Sequence, residues 1–249
     1  MFSQESRCLY KSNQLAEVIC QLRFPEILTV SANPPVEFQE VIRDTFPQYM
    51  LRQEIAAPKQ PPAPNYQFVS ADGTWRVNLT SKFISLTCSR YRCWEDFAKQ
   101  LDKPLAAFIK LYKPAYFERI GLRYLNFFSR NALDLEDIPY SQLLDPCWLG
   151  PLAQEDVVPS AVTACGIDSQ INLKGGCRVK IHAGPGMVKR NGQNDPETKF
   201  IFDMDLFMPG QIPVNLSAGA LQTLHSQAFP IFRGAITDTL HDAMEPRPI

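Results

Sequence analysis

Histidine is scarce in this chain: three occur in 249 residues, at 182, 225 and 241. His225 and His241 lie 16 residues apart on what reads as one helix. At 100° per residue that places them about 160° apart, so they cannot converge on one ligand. Cysteine is too irregular for a metal or disulfide framework. The seven thiols are odd in number and scattered, at positions 8, 20, 88, 93, 147, 165 and 177. No C-x-x-C occurs, and the C-x4-C of Cys88 and Cys93 has no matching second pair, which argues against structural zinc. Glycine-rich phosphate loops are missing too. Lys174-Gly-Gly176 and Gly184-Pro-Gly186 lack the Walker spacing and its G-K-[ST] ending. There is no G-x-S-x-G elbow, and no local Cys–His pairing suggests a thiol nucleophile. No window approaches 18 apolar residues, and the first ten residues carry no positive region followed by an apolar run. The expectation is therefore a reduced, cytoplasmic protein with no membrane span and no cofactor. A formal net charge of −1 gives neither the basic excess of a nucleic-acid binder nor an acidic tail.

What is present is material for a core. Hydrophobic residues make up 45% of the chain, with 16 phenylalanines, enough for one large domain or two lobes. The organising stretch is Phe117–Phe128, F-E-R-I-G-L-R-Y-L-N-F-F. Ile120, Leu122 and Tyr124 alternate with Arg119, Gly121 and Arg123, the period of a strand with one apolar face. The two guanidinium groups fall about 13 Å apart at roughly 3.3 Å per residue. They must be solvated, paired with carboxylates, or used on an anion. Gly121 between them leaves space for a bulge or a close neighbour.

Around this strand the chain divides into two runs of similar element order. A strand at 15–24 is followed by a helix at 36–46 and a solvated proline-rich loop at 51–64. The tract Pro58-Lys-Gln-Pro-Pro-Ala-Pro64 there is a loop or a proline-motif ligand. Strands at 66–70, 75–79 and 83–89 form a meander with an Asp72-Gly73 turn. Trp94, Phe97, Leu101, Leu105, Phe108 and Tyr112 recur at helical spacing over 94–112, with Pro104 as a kink. After the Phe117 strand comes a broken segment at 138–149. Strands follow at 162–173, 177–183 and 199–207, the last two separated by a Gly/Asn/Lys loop at 184–194. A final helix starts at Ser217, bends at Pro230 and carries the stripe Leu221, Leu224, Ala228, Phe232, Ile236 and Leu240. The fold class expected is α+β: antiparallel sheets, a long helix closing each half, and halves at 1–114 and 115–249 that form one compact unit. The element order resembles that of a TATA-binding-protein-like fold with a pseudo-two-fold axis, by order alone. A single α+β domain with two unrelated sheets is the alternative.

Three segments together resemble a sporadically distributed, uncharacterised prokaryotic family. They are Asn13–Phe24, with its N-x-L-x-E-V-x-x-x-x-R-F pattern, Arg119–Asn126 as R-I-G-L-R-Y-x-N, and the terminal helix 224–240 with a His and I-T-D. The resemblance spans nearly the whole chain. It implies no activity, cofactor or catalytic residue. The family's sporadic distribution implies an accessory role, such as in a defence or toxin–antitoxin locus.

The polar residues that could form a site are Glu17, Arg119, Arg123, Asp203, Asp205 and His225. Glu17 or Asp205 is expected to pair with Arg119 or Arg123, because all four face away from the core. Asp203 and Asp205 share a strand face with Cα atoms roughly 6.7 Å apart, a pattern of metal-dependent nucleases or simply of carboxylates answering arginines. With Asp168 or Glu17 nearby a metal site could assemble, although no D-x-E-x-K companion follows. His182 reads as a hydrogen-bonded structural residue or a lone general base. Loop 184–194 reads as surface, with anion contact as the alternative. No catalytic residue emerges. The functional expectation is a non-enzymatic binding or assembly protein with a protein partner or self-association. A metal-dependent hydrolase or nuclease using Asp203 and Asp205 is the first alternative, and a nucleic-acid saddle, disfavoured by charge, the second.

Overall fold

Alternation along the strands and a 3.6-residue period in the helices build an α+β protein with antiparallel sheets. The computed structural model describes residues 2–54, 63–190 and 192–249. In chain order the strands are β1 Cys8–Tyr10, β2 Leu15–Arg23, β3 Gln48–Glu54, β4 Ala63–Val69, β5 Trp75–Leu79, β6 Phe83–Cys88, β7 Phe117–Phe128, β8 Ile167–Asn172, β9 Arg178–Arg190, β10 Gln193–Ile212 and β11 Pro246–Pro248. The helices are α1 Leu28–Ala32, α2 Val36–Ile42, α3 Trp94–Tyr112, α4 Ser217–Arg233 and α5 Asp238–Ala243. Among the described residues no helix is long and apolar enough to cross a membrane.

The chain forms two units. One comprises Met1–Ala16, Arg123–Leu206 and Thr223–Ile249; the other comprises Glu17–Leu122 and Phe207–Gln222. Strands β7 and β10 and helix α4 each run from one unit into the other.

In the unit built on Glu17–Leu122 the strand order is β3-β4-β5-β6-β2, followed by the first half of β7. The meander read from the sequence is there, pairing β4 to β5 and β5 to β6. Asp72 sets its first turn, accepting from the Ser70 hydroxyl at 2.6 Å, the Thr74 amide at 3.0 Å and the Thr74 hydroxyl at 2.5 Å. Gly73 supplies the positive φ of 72° that this turn requires. These hydrogen bonds draw the Asp72 carboxyl down to about 2, the Ser70 hydroxyl contributing most. One sheet face is apolar and carries the helices. Phe24 stacks on Phe108 of α3 at 4.6 Å, Phe38 of α2 meets Phe68 at 5.5 Å, and Trp75 meets Phe97 at 5.7 Å. On the other face Gln67, Asn78, Ser85 and Gln21 lie in one cross-strand row, Asn78 donating to Ser85 at 3.2 Å.

The other unit orders the second half of β7 next to β10, β9 and β8. Its apolar face includes Tyr124, Phe128, Ile181, Phe200, Phe202 and Met204, all buried. Trp148, from the 3-10 turns that replace helix over 138–149, packs edge-on against Phe202 at 5.3 Å. A two-stranded ribbon of β1 and β11 joins the chain's two ends, with Cys8 opposite Pro248 and Tyr10 opposite Pro246. All seven cysteines are free thiols, and burial pushes the Cys20 and Cys88 thiols up, which makes them inert core residues.

The structure corrects several expectations. Residues 184–190 and 193–194 are strand and not loop: β9 continues to Arg190 and β10 begins at Gln193. The glycines there serve close approach, since a Cβ on Gly184 would sit 2.5 Å from the Cys165 carbonyl oxygen and one on Gly186 2.5 Å from Ile201. The turn is at Gly192, whose φ is 81°. Residues 51–54 and 63–64, expected in the solvated loop, belong to β3 and β4. Most of the proline tract at 58–64 lies outside the described residues. The 36–46 helix ends at Ile42 and is preceded by α1. The strand expected over 162–173 is confined to Ile167–Asn172. The terminal helix is two helices. The chain leaves α4 after Arg233, and Thr237 caps α5 by accepting from the Leu240 amide. Ser217 opens α4 by donating to the Val214 carbonyl at 2.8 Å, rather than as an N-cap acceptor. Ile231 is fully buried where Phe232 was expected; Phe232 is half-buried, edge-on to Tyr10 at 5.8 Å.

Candidate functional site

The outward face of β7–β10 is where the polar residues collect. Alternation on β8 turns Asp168 and Gln170 to this face, and antiparallel pairing with β9 sets Asp168 opposite His182 and Gln170 opposite Lys180. On β10, Asp203 and Asp205 alternate with buried Phe202, Met204 and Leu206. On β7, Arg123 alternates with buried Leu122 and Tyr124. Together Arg123, Asp168, Lys180, His182, Asp203 and Asp205 line a groove of about 410 Å³.

Its ionic geometry is specific. Arg123 donates to Asp203 through Nε at 2.7 Å and Nη2 at 2.5 Å, a two-point pair. Asp203 is only 16% exposed on its side chain, and Arg123 44%, so the pair is half in solvent. The sequence pointed to Glu17 or Asp205 as the carboxylate answering Arg119 or Arg123; the carboxylate seen on Arg123 is Asp203. His182 Nδ1 meets Asp168 Oδ1 at 2.9 Å, and the imidazole lies against Gly166, where a Cβ would be 3.3 Å from Cε1.

A carboxylate-oriented histidine supplies two of the three members of a hydrolytic triad, and Ser169 is next in sequence to Asp168. The sheet separates them. Ser169 pairs with Ile181, on the core-facing side of both strands, while Asp168 pairs with His182 on the outer side. The nucleophile and the base therefore project to opposite faces. Among the described residues no group of three His, Cys, Asp or Glu side chains is placed to hold an ion. Asp203, one of the two carboxylates proposed for that role, is already taken by a guanidinium.

The other sequence-selected residues lie elsewhere. Glu17 is 3.8 Å from Arg76. Arg119 sits with its guanidinium carbon 4.7 Å from the centre of the Phe207 ring, a cation–π contact. It also folds over Gly121, where a Cβ would clash at 2.3 Å with its Nη1. It borders a second hollow, of about 440 Å³, with Arg23, Glu26, Lys82 and Glu118. His225 is 7% exposed and points into the apolar side of its unit, away from the groove. Its Nδ1 meets the Tyr124 hydroxyl at 2.9 Å and its Nε2 meets Arg7. Arginine only donates, so Nε2 is the acceptor and Nδ1 carries the proton given to Tyr124. Both ring nitrogens are thus engaged by side chains of the same unit. Asn126, 2% exposed, donates to the Phe202 carbonyl at 3.1 Å. The polar residues of the Arg119–Asn126 stretch are thus each engaged by a neighbouring element.

Sequence reasoning named Asp168 and His182 separately but not as a pair. The signal was available: a hairpin turning on Gly175-Gly176 sets 172 opposite 178, and counting back in steps of two reaches 168 and 182. Lys180 was missed as one more exposed lysine. Comparison with protein-family models and with curated proteins finds no match to this chain.

Proposed function

We propose that this protein is a non-enzymatic binding or assembly protein whose recognition surface is the groove over β7–β10. The observation that carries this reading is the pairing of its charges: Asp203 is held by Arg123 and Asp168 by His182. Reactive groups so engaged, with the Ser169 side chain turned to the other face, favour recognition over turnover. A surface of interleaved acids and bases suits a partner that presents both signs of charge. The test is co-purification of the tagged protein from its native host, beside a folded Asp168→Arg/Asp205→Arg variant. A partner held by the wild type and lost by the variant supports the reading. A partner held equally by both, or none, removes the groove from recognition.

The metal-dependent hydrolase remains the alternative to test, because Asp205 also lines the groove. Mn²⁺ or Mg²⁺ is expected to leave the melting temperature unchanged. A concentration-dependent rise that Asp205→Asn abolishes would replace binding by metal chemistry. A nucleic-acid saddle is disfavoured by the net charge of −1. A place in a defence or toxin–antitoxin locus rests on the family resemblance alone.

A further inference from the structure

We infer that β3 is a pairing edge through which two copies of this chain associate. In the strand order among the described residues, β3 has β4 on one side and no strand on the other. Among the described residues no strand takes up the alternate backbone amides and carbonyls of that side, which an added strand would engage. Edge strands are ordinarily protected by proline, by charge or by short length. This one is seven residues long, contains no proline, and has its charges only at Arg52 and Glu54. Its centre is apolar and open: Tyr49 is 45% exposed, Met50 42% and Leu51 54%. Tyr49 and Leu51 pair with Phe68 and Tyr66, which puts them on the helix-bearing face. There α2 leaves Val36 and Val41 exposed as well. Exposed Tyr49 and Leu51 thus form an apolar skirt beside the open ladder, and exposed apolar surface of this kind marks interaction sites.

The occupant that fits is the same strand of a second copy. Antiparallel pairing of a strand with itself is the arrangement a two-fold axis generates. An axis at Leu51 sets Leu51 opposite Leu51, Met50 opposite Arg52, Tyr49 opposite Gln53 and Gln48 opposite Glu54. No like charges are opposed in that register. Because side chains alternate with period two, Tyr49 and Leu51 of both copies stay on one face and the two skirts merge. A single ladder with its skirt is at the small end of stable interfaces, so association depends on concentration. This surface is separate from the groove, and its test does not depend on the groove's role.

Sedimentation velocity on the full chain, from low micromolar upward, should show the mass moving from one chain to two. Leu51→Lys, at an exposed position, should keep the wild-type melt and weaken association by more than about tenfold. Leu51→Cys should cross-link to its own copy under mild oxidation, because opposed Cβ atoms lie about 4.5–5.5 Å apart in an antiparallel pair. Gln53→Cys, opposite Tyr49, should not. A wild type that stays at one chain's mass at the highest concentration overturns the inference. So does a dimer indifferent to Leu51→Lys, or one in which Gln53→Cys cross-links and Leu51→Cys does not.

Discussion

Arg233 offers the sharpest test of what holds the chain's ends in place. Its side chain is 8% exposed at the end of α4, and its guanidinium serves three partners. Nε donates to Glu5 at 2.8 Å, Nη1 to the Ile236 carbonyl at 3.2 Å, and Nη2 pairs with Asp238 in the first turn of α5. One residue thus ties the N-terminal segment, α4 and α5. Consider Arg233→Met, which keeps the stem and removes the charge. The Ile236 carbonyl loses its donor, costing about 1–3 kcal/mol for a buried acceptor. The two carboxylates are 52% and 85% exposed, so water takes over their solvation. Each ion pair then counts for only about 0.2–1 kcal/mol. The sum is about 1.4–5 kcal/mol, or roughly 3–20 °C in melting temperature for a chain of this size. Arg233→Ala should lose a further 1–2 kcal/mol or so, at about 0.8 kcal/mol per buried methylene. The control is Lys103→Ala. Its pair with Asp44 at 2.5 Å is 42% and 67% exposed, and its loss should cost under about 1 kcal/mol. Thermal melts followed by circular dichroism compare the three. If Arg233→Met melts with Lys103→Ala, the clasp contributes nothing beyond a surface pair and the reasoning from burial fails.

Two further outcomes follow from the same geometry. Ile231→Ala should destabilise by about 2–5 kcal/mol, the cost of emptying a fully buried aliphatic site, and by more than Phe232→Ala, whose ring is half-buried; the reverse order in urea melts would place the helix stripe on Phe232 after all. Asp72 has its carboxyl drawn down to about 2 by the turn hydrogen bonds, from an ordinary 3.8, so its contribution is present above about pH 4 and fades as pH falls toward about 2. Asp72→Asn should therefore melt below the wild type at neutral pH and converge with it in acid; a gap constant across that range would show that the turn does not depend on the charge.

The sequence by itself determined the elements whose apolar pattern is long and regular. β7 runs over Phe117–Phe128 and α3 over Trp94–Tyr112, as their spacing predicted, because a two-residue or 3.6-residue period is a local consequence of backbone geometry. The meander was equally legible, its Asp72-Gly73 turn being written in residues that tolerate the required backbone. It also indicated that Arg123 must be solvated, paired with a carboxylate or used on an anion, since a guanidinium on a strand face must be answered. Which carboxylate answers it is a question of register between β7 and β10, and the fold brings Asp203 to it. The strand character of 184–190 was hidden because Gly184 and Gly186 carry no side chain to show a period; their purpose appears only where Cys165 and Ile201 press on them. Asn191-Gly192 was the one local sign of that hairpin. Contacts between residues distant in sequence leave no such sign. Arg7 reaches His225 across 218 positions and Arg233 reaches Glu5 across 228, and only the folded chain brings them together, because side-chain pairing between separate elements depends on where those elements pack and not on what flanks them.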